Sequence, residues 1–192
     1  ADYLKNRQQY SEYLKILSRA TGERGDLRLV ELLGTYGSYT VFAPTNDVIH
    51  EYLRSRGKTS VDELSKEDCD TIALNSIIEQ AYFTTDFSFA SVEGDTVPPV
   101  YTFPKSNMLE HIMTVTCDSL KDEFGEVTLE LRLNDESKFI HADDSVCNGV
   151  VHTINTLAST SNDLLPAVLE KDQSITYFTK ALMACGLDEI VG

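Results

Sequence analysis

Apolar residues in the first 80 positions are spaced as in helices. Near the amino end they recur at intervals of three and four and so share one helical face; these residues are Tyr10, Tyr13, Leu14 and Leu17. A short second helix is predicted at residues 27–33. The same spacing predicts a helix that follows Thr45 and ends at Gly57, and another that starts after Ser65 and runs to Gln80.

Two of these helices have recognisable starts. The hydroxyl of Thr45 is placed to accept a free backbone N–H in the first turn of its helix. Ser65 and Asp68 have the spacing of a capping box, in a weaker version because Asp replaces the usual Glu or Gln. Both segments are therefore predicted to become helical directly after these residues.

The second half of the chain alternates apolar and polar positions, which is typical of strands. The cleanest case is 127–133, where Val and Leu alternate with Thr, Glu and Arg. A β-branched and aromatic run, Tyr39–Ala43, stops at Pro44 and predicts a buried strand of the same sheet. Further strands are predicted at 109–117, 138–141 and 149–157. Helices followed by mostly antiparallel strands indicate an α+β fold and not a doubly wound parallel sheet.

The chain is strongly acidic. Its 192 residues include 16 Lys and Arg against 31 Asp and Glu, a formal net charge of −15. Phosphate backbones and anionic lipid surfaces repel such a polyanion, so nucleic acid is disfavoured as a partner. No apolar run approaches the roughly 18 residues that a spanning helix needs, which argues against direct membrane insertion.

No catalytic or metal-binding motif is present in the sequence. The four cysteines lie far apart without a CxxC pair, which disfavours a zinc ribbon and favours small buried residues over disulfides. The four histidines are not joined to a nucleophile or to one another by a known spacing, and no nucleotide-binding or zincin pattern occurs. The sequence predicts a protein that is not an enzyme, with no catalytic residue, no cofactor and no metal.

Two segments together resemble the fasciclin-like (FAS1) domain. Tyr39–Asp47 is similar to that family's leading box, T-V-F-A-P-T-N, and Asn148–Ile154 to its closing box, N-G-V-V-H-V-I. The boxes stand in the family's order, about a hundred residues apart. The resemblance covers roughly residues 9–166. It implies structural motif roles for Thr40, Val41, Phe42, Ala43, Pro44, Thr45, Asn46, Asn148, Gly149 and His152.

The closing box has a simple physical interpretation. Asn148 and Gly149 form a turn pair, in which Gly is free to take a positive φ and Asn148 is expected to bond local backbone. His152 stands between Val151 and Thr153 in a strand pattern. It is expected to be a buried histidine with a hydrogen-bond partner; a metal-ligand or catalytic role is the alternative.

The resemblance implies a wedge-shaped β-sandwich with N-terminal and capping helices. Because such domains commonly occur in tandem, residues 1–166 are interpreted as one fasciclin-like domain. Residues 167–192 would then be the first helix of a truncated second domain, in which Phe178 repeats Tyr13 and Leu182 repeats Leu17. This apolar tail is expected to dock on the first domain or on a neighbouring copy.

The resemblance also implies a function. The family is associated with adhesion and has no enzymatic activity as a class. The chain is accordingly expected to be a secreted, non-catalytic binding module with a protein or glycan partner at the cell surface and contact with a second fasciclin-like domain. Fasciclin-like proteins of this acidic, cysteine-poor, multi-domain sort resemble envelope lipoproteins of Gram-negative bacteria, so the resemblance implies a full-length protein that is lipid-anchored to the bacterial envelope. Two alternatives stay open, a structural spacer repeat and a small-ligand carrier with a pocket between helices and sheet.

Two places bear on partner binding. Some animal members carry an adhesive Asp–Ile motif a few residues before the closing box, and here that place is Asp143–Asp144. These two residues are the candidate partner-binding residues, with a charge in place of the apolar residue. The family often has a Tyr–His pair at the end of the helix before the strands; aligned at Gln80–Ala81, this pair is missing here.

Overall fold

The structure, a computed structural model, describes residues 1–22, 27–89, 99–121 and 127–159. It also describes four single positions of the tail: Tyr177, Lys180, Ala181 and Cys185. The chain divides into two units, Ala1–Thr160 and Ser161–Gly192. The interpretation of residues 167–192 as the start of a second domain therefore lies almost wholly outside the described residues.

The helices of the first unit are short and lie mostly before residue 76. They are α1 (Asp2–Lys5), α2 (Ser11–Arg19), α3 (Leu29–Leu32), α4 (Asn46–Ser55) and α5 (Lys66–Asn75). Single 3-10 turns lie at Gln8–Tyr10, Val61–Glu63 and Thr84–Asp86. Within the part of the chain that the structure describes, no helix is long and apolar enough to cross a membrane.

The two predicted helix starts differ in outcome. The capping box of α5 is confirmed: the Ser65 hydroxyl accepts the N–H of Asp68 at 3.0 Å, and the Asp68 carboxylate accepts the N–H of Ser65 at 3.1 Å. Thr45 is the N-cap residue of α4 with extended backbone, but its hydroxyl makes no capping bond, so that prediction was wrong.

The predicted continuation of α5 to Gln80 was also wrong. The helix ends at Asn75, and Ile77–Ile78 forms a strand at the edge of the sheet. Both isoleucines are fully buried, Ile77 against the helices and Ile78 on the opposite side of the sheet. Neighbouring residues of a strand point to opposite faces, so a strand can bury one isoleucine in each core. The single apolar face of a helix could not bury both. The end of the helix is thus Asn75–Ser76, which is not a Tyr–His pair either.

Seven strands form one mixed sheet. They are β1 (Tyr39–Pro44), β2 (Ile77–Ile78), β3 (Val100–Thr102), β4 (Thr114–Lys121), β5 (Val127–Leu133), β6 (Ser137–Val146) and β7 (Gly149–Ile154). The spatial order is β2-β1-β7-β6-β5-β4-β3. Only β1 and β7 pair in parallel; the other neighbours are antiparallel. The predicted α+β class and the mostly antiparallel sheet are confirmed.

Strand β4 begins later than the predicted strand at 109–117. The reason lies in the turn before it, where the side-chain carbonyl of Asn107 accepts the backbone N–H groups of Leu109 and His111. Glu110 between them has a positive φ of 61°. These bonds hold residues 107–111 as a tight turn, so pairing with β3 and β5 starts only at Thr114.

Strand β6 changes its pairing partner near its start. Strand β5 pairs with only the first two residues of β6, Ser137 and Lys138. From Phe139 onward, β6 pairs with β7. The sheet therefore curls at β6, and its two halves enclose an apolar cluster between them, as the sandwich prediction requires.

Two apolar cores result. The helix-side core lies between the helices and the β2-β1-β7 part of the sheet. The aromatic core lies inside the curled sheet and is built around Phe42, Tyr82, Phe87, Phe103, Met113, Val115, Leu133 and Ile154.

Candidate binding surfaces

The two sequence boxes are neighbouring strands at the centre of the sheet. Strand β1 carries the leading box and β7 the closing box, and they pair in parallel from Tyr39 opposite Gly149 to Pro44 opposite Ile154. All six residues of β1 are buried. The two strands therefore contact each other and the two cores, and β1 presents no surface of its own to a partner.

Gly149 is required by the close approach of these strands. Its φ is 146°, and a Cβ added there would lie 1.9 Å from the carbonyl oxygen of Tyr39. No larger residue fits without moving β1 away from β7. Glycine is therefore required here for two reasons: its φ is positive, and β1 and β7 lie too close together to leave room for a side chain.

The side chains of the two asparagines in the boxes form hydrogen bonds to segments that are distant in sequence. Asn148 donates from its side-chain amide to the carbonyls of Leu33 and Thr35, both at 3.0 Å, so the prediction of a bond to local backbone was wrong. Asn46 donates to the hydroxyl of Ser11 and accepts the N–H of Glu12, which satisfies the first turn of α2. The amide of Asn46 therefore serves the start of another helix.

His152 is buried completely and both ring nitrogens are bonded. Nε2 lies 2.9 Å from the carbonyl oxygen of Tyr82, and Nδ1 accepts the backbone N–H of Asp143 at 3.2 Å. The ring stacks on Phe42 at 5.7 Å between centroids. Burial lowers the pKa of His152 below 6.5, which favours the neutral ring that these bonds require. A nitrogen pair used in this way is not available to a metal or a substrate.

Asp143 lies in an irregular part of β6. The register with β7 shifts between His141 and Asp144, and Asp143 has a positive φ of 64°. Its carboxylate accepts both the backbone N–H of Thr84, at 2.8 Å, and the Thr84 hydroxyl. The carboxylate of Asp143 thus holds the loop after β2 in place, and its backbone N–H orients the ring of His152.

Asp144 points to the other side of the sheet. Its carboxylate accepts the hydroxyl of Tyr3 and lies 3.2 Å from Nε2 of His141, whose side chain is 66% exposed. The structure therefore does not bring the carboxylates of Asp143 and Asp144 together on one surface. Each is engaged within the domain, and their role in partner binding stays a prediction.

Within the part of the chain that the structure describes, no helix covers one side of the sheet's second half. We call it the open face; it consists of Val100, Asp118, Glu130, Arg132, Lys138 and Ile140. Cross-strand register places Val100, Thr116, Arg132 and Lys138 in one row across four strands. Ile140, two residues after Lys138, is 59% exposed and Val100 is 48% exposed.

The centre of the open face is an ordered ion network. Arg132 contacts Glu130 at 2.6 Å and Asp118 at 3.4 Å, and Lys138 contacts Glu130 at 2.7 Å. These bonds lower the pKa of Glu130, with Lys138 as the main cause. The two acids and two bases balance each other, in contrast to the strong acidity of the whole chain. Sequence alternation alone predicted a polar face here, but not its neutrality.

A cavity between helix α1 and the sheet has little room for a ligand. It is lined by apolar residues such as Leu4, Leu33 and Val151 and measures about 20 Å³. A single water molecule needs about this space. The cavity therefore gives no support to small-ligand carriage.

The four cysteines are unpaired. Cys69 is buried as expected, but Cys117 is half-buried, and Cys147 and Cys185 are exposed, so the expectation of burial was right for one of them. Among the described residues, no group of three or more His, Cys, Asp or Glu side chains is placed to hold a metal ion.

The fold and the two boxes define a class: an α+β domain in which both boxes lie in paired central strands of the sheet. The family model described as "Fasciclin domain" matches residues 8–160. The chain belongs to the fasciclin domain family, whose members are generally non-catalytic adhesion modules and typically extracellular.

A search of curated proteins finds no match. Among solved structures, the chain is similar to a FAS1 domain pair from the insect cell adhesion molecule fasciclin I, with 12% sequence identity and a TM-score of 0.45. The alignment covers 84% of this chain and 50% of that chain, so this chain spans about half of the insect structure.

Proposed function

We propose that this chain is a non-catalytic adhesion module that acts outside the cytoplasm and binds a protein partner through the open face. The observation that carries the proposal is the sheet surface around Arg132 and Glu130, which no described helix covers and which has exposed apolar residues on either side of an ordered ion network. Apolar side chains flanked by polar groups are typical of interaction surfaces.

Charge supports this choice of surface. The chain carries 15 more acidic than basic residues, and such an excess repels other acidic surfaces over several ångströms. The open face has two carboxylates and two cations in contact with one another. Its local neutrality lets a second protein surface approach without that repulsion.

The two predicted partner-binding carboxylates fit this proposal unequally. Asp144 and its partner His141 lie next to the helix-covered part of the sheet, where Asp144 bonds Tyr3. Asp143 faces Thr84 on the opposite side. We therefore include Asp144 at the margin of the proposed contact surface and assign Asp143 to the support of the loop after β2.

Attachment of protein-coated microspheres to intact cells of the source organism tests the proposal. The wild-type chain should attach, and Ile140→Asp should reduce attachment severalfold, because a buried charge in an interface is costly. Leu129→Asp is the matched control. Leu129 is exposed to a similar degree, 66%, but it lies on the same face of β5 as Leu131 and Leu133, which is opposite to the open face.

The outcomes separate the alternatives. No attachment by the wild-type chain would favour the spacer function. Equal losses for Ile140→Asp and Leu129→Asp would remove the open face from the proposal. The finer expectation of a lipid-anchored envelope protein is tested by fractionation of native cells; recovery of the protein in the cytosol would contradict it.

A further inference from the structure

Helix α4 carries basic side chains along one face beside a cavity. His50, Arg54 and Lys58 are spaced four residues apart, which aligns them along α4 and the residues after its end. Together with Thr59 they line a cavity of about 300 Å³. We call this the α4 groove. It involves no residue of the open face.

Two of the three basic side chains have no partner in the described part of the chain. Lys58 pairs with Asp68 at 3.1 Å, and the Thr59 hydroxyl donates to Glu63 at 2.5 Å. The side chains of Arg54 and His50 make no hydrogen bond or ion pair with any described residue. With 31 acidic residues in the chain, unpaired basic groups that converge on a cavity are not explained by a shortage of carboxylates.

Helix electrostatics account for only part of this arrangement. A cation in the last turn of a helix is stabilised by the negative end of the helix dipole, and Arg54 is in that position. His50 lies one turn earlier, and Lys58 lies beyond the helix end. The helix dipole therefore explains neither the alignment of three basic groups nor the concave surface between them.

The lining of the groove indicates the kind of ligand. An arginine side chain presents a planar fork of donors that matches a carboxylate. The other three lining side chains end in polar groups, which favours a ligand with polar groups of its own. The volume is at the small end of the range for small-molecule sites. We propose that the α4 groove binds a small polar carboxylate, with Arg54 as the main charged contact.

Titration of the full chain with D-glucuronate, followed by NMR, tests this inference. Shifts should concentrate on residues 50–59, should be absent with neutral D-glucose, and should weaken as salt is added. Arg54→Gln should weaken glucuronate binding about tenfold, as expected for loss of a charge-assisted hydrogen bond. Arg54→Lys should restore part of that loss, since it keeps the charge without the fork.

Arg56→Gln is the matched control. It removes the same charge from the same helix end, but Arg56 stacks over the Tyr52 ring at 5.4 Å and does not line the groove. It should leave binding within about twofold of wild type, the change expected from one more distant, screened charge. Equal losses in the two variants, equal responses to glucose and glucuronate, or binding of inorganic phosphate without glucuronate would each overturn the proposal. The open face is intact in both variants, so failure here is distinguishable from failure of the adhesion proposal.

Discussion

The two cores of this domain lie on opposite sides of the same strand and are built differently. On the helix side, Val41 and Ala43 of β1 join a large set of aliphatic residues from the helices. On the other side, Phe42 meets the rings of Phe103, Phe139 and His152, with centroids 5.7–6.0 Å away. One core is distributed over many medium-sized side chains, and the other depends on a few large rings.

The difference extends to how each core is closed. Helices cover the helix-side core, where two tyrosine hydroxyls are bonded to hydroxyls of the sheet side. Among the described residues, the aromatic core is surrounded by the curled sheet and its loops. Leu131 and Tyr101 at its border are half-buried, and Leu129 beyond them is 66% exposed. Removal of a ring at the centre of the aromatic core should therefore destabilise the domain more than removal of one side chain from the helix-side core.

The largest effect is expected from Phe42→Ala. Removal of a fully buried ring that contacts three others should lower the free energy of unfolding by about 3–5 kcal/mol. Val41→Ala, one residue away and facing the helices, should cost about 2 kcal/mol from two lost methyl groups. Urea denaturation of both variants measures the contrast. Equal losses of unfolding free energy in the two variants would show that the two cores tolerate the removal of a side chain equally well.

Gly149→Ala should cost about 3 kcal/mol, at the upper end of the range for an unfavourable backbone conformation, because its new Cβ also meets the Tyr39 carbonyl. The control is Gly57→Ala, where φ is 68° but no atom lies within 4 Å of the new Cβ. That change should cost about 1 kcal/mol. If thermal melting showed the same loss for both, the close approach of β1 and β7 would not be important for stability.

His152→Ala should cost about 2 kcal/mol, because it leaves the Tyr82 carbonyl and the Asp143 N–H without their partner. The melting temperature should fall while the circular dichroism of the native state is retained. An unchanged melting temperature would contradict the buried, bonded histidine and would reopen a binding role for it.

His152 should also make stability depend on pH. Its pKa is lowered in the folded state from 6.5, so below pH 6.5 the unfolded chain takes up a proton that the native ring does not. Stability contributed by the neutral ring is therefore present above pH 6.5 and is lost as pH falls towards the folded pKa, by at most about 1.4 kcal/mol per pH unit. His152→Ala should abolish this slope. A slope that survives His152→Ala belongs to other groups.

The smallest effects are expected in the helix-side core. Tyr13→Phe removes the bond to the Ser76 hydroxyl at 2.6 Å and should cost about 1 kcal/mol. Tyr10→Phe removes the bond to the Thr153 hydroxyl at 2.8 Å and should cost a similar amount. Denaturation of the double variant should show nearly additive losses, because the two bonds share no partner. Losses above 2 kcal/mol in either single variant would mean that these hydroxyls organise the core.

Much of this fold could be predicted because burial leaves a local pattern. Strand β5 occupies Val127–Leu133, the segment predicted from alternation, since one of its faces is buried. The wrong prediction at Ile77–Ile78 has the opposite cause. Both faces of β2 are buried, so its two apolar residues do not alternate with polar ones, and in the sequence they look like a continuation of the preceding helix. Asn107 was missed because its bonds to a tight turn leave no periodic signal.

By itself, the sequence of this protein determined its class of fold, its strong acidity and the two boxes, because periodic burial and motif residues are local properties of the chain. Only the tertiary structure decided that those boxes pair in parallel, so that Gly149 meets Tyr39 and His152 stacks on Phe42. It also decided which polar groups remain at the surface, by closing β6 onto β7 and leaving the open face uncovered. Contacts between segments about a hundred residues apart depend on strand order and register, which no local pattern specifies.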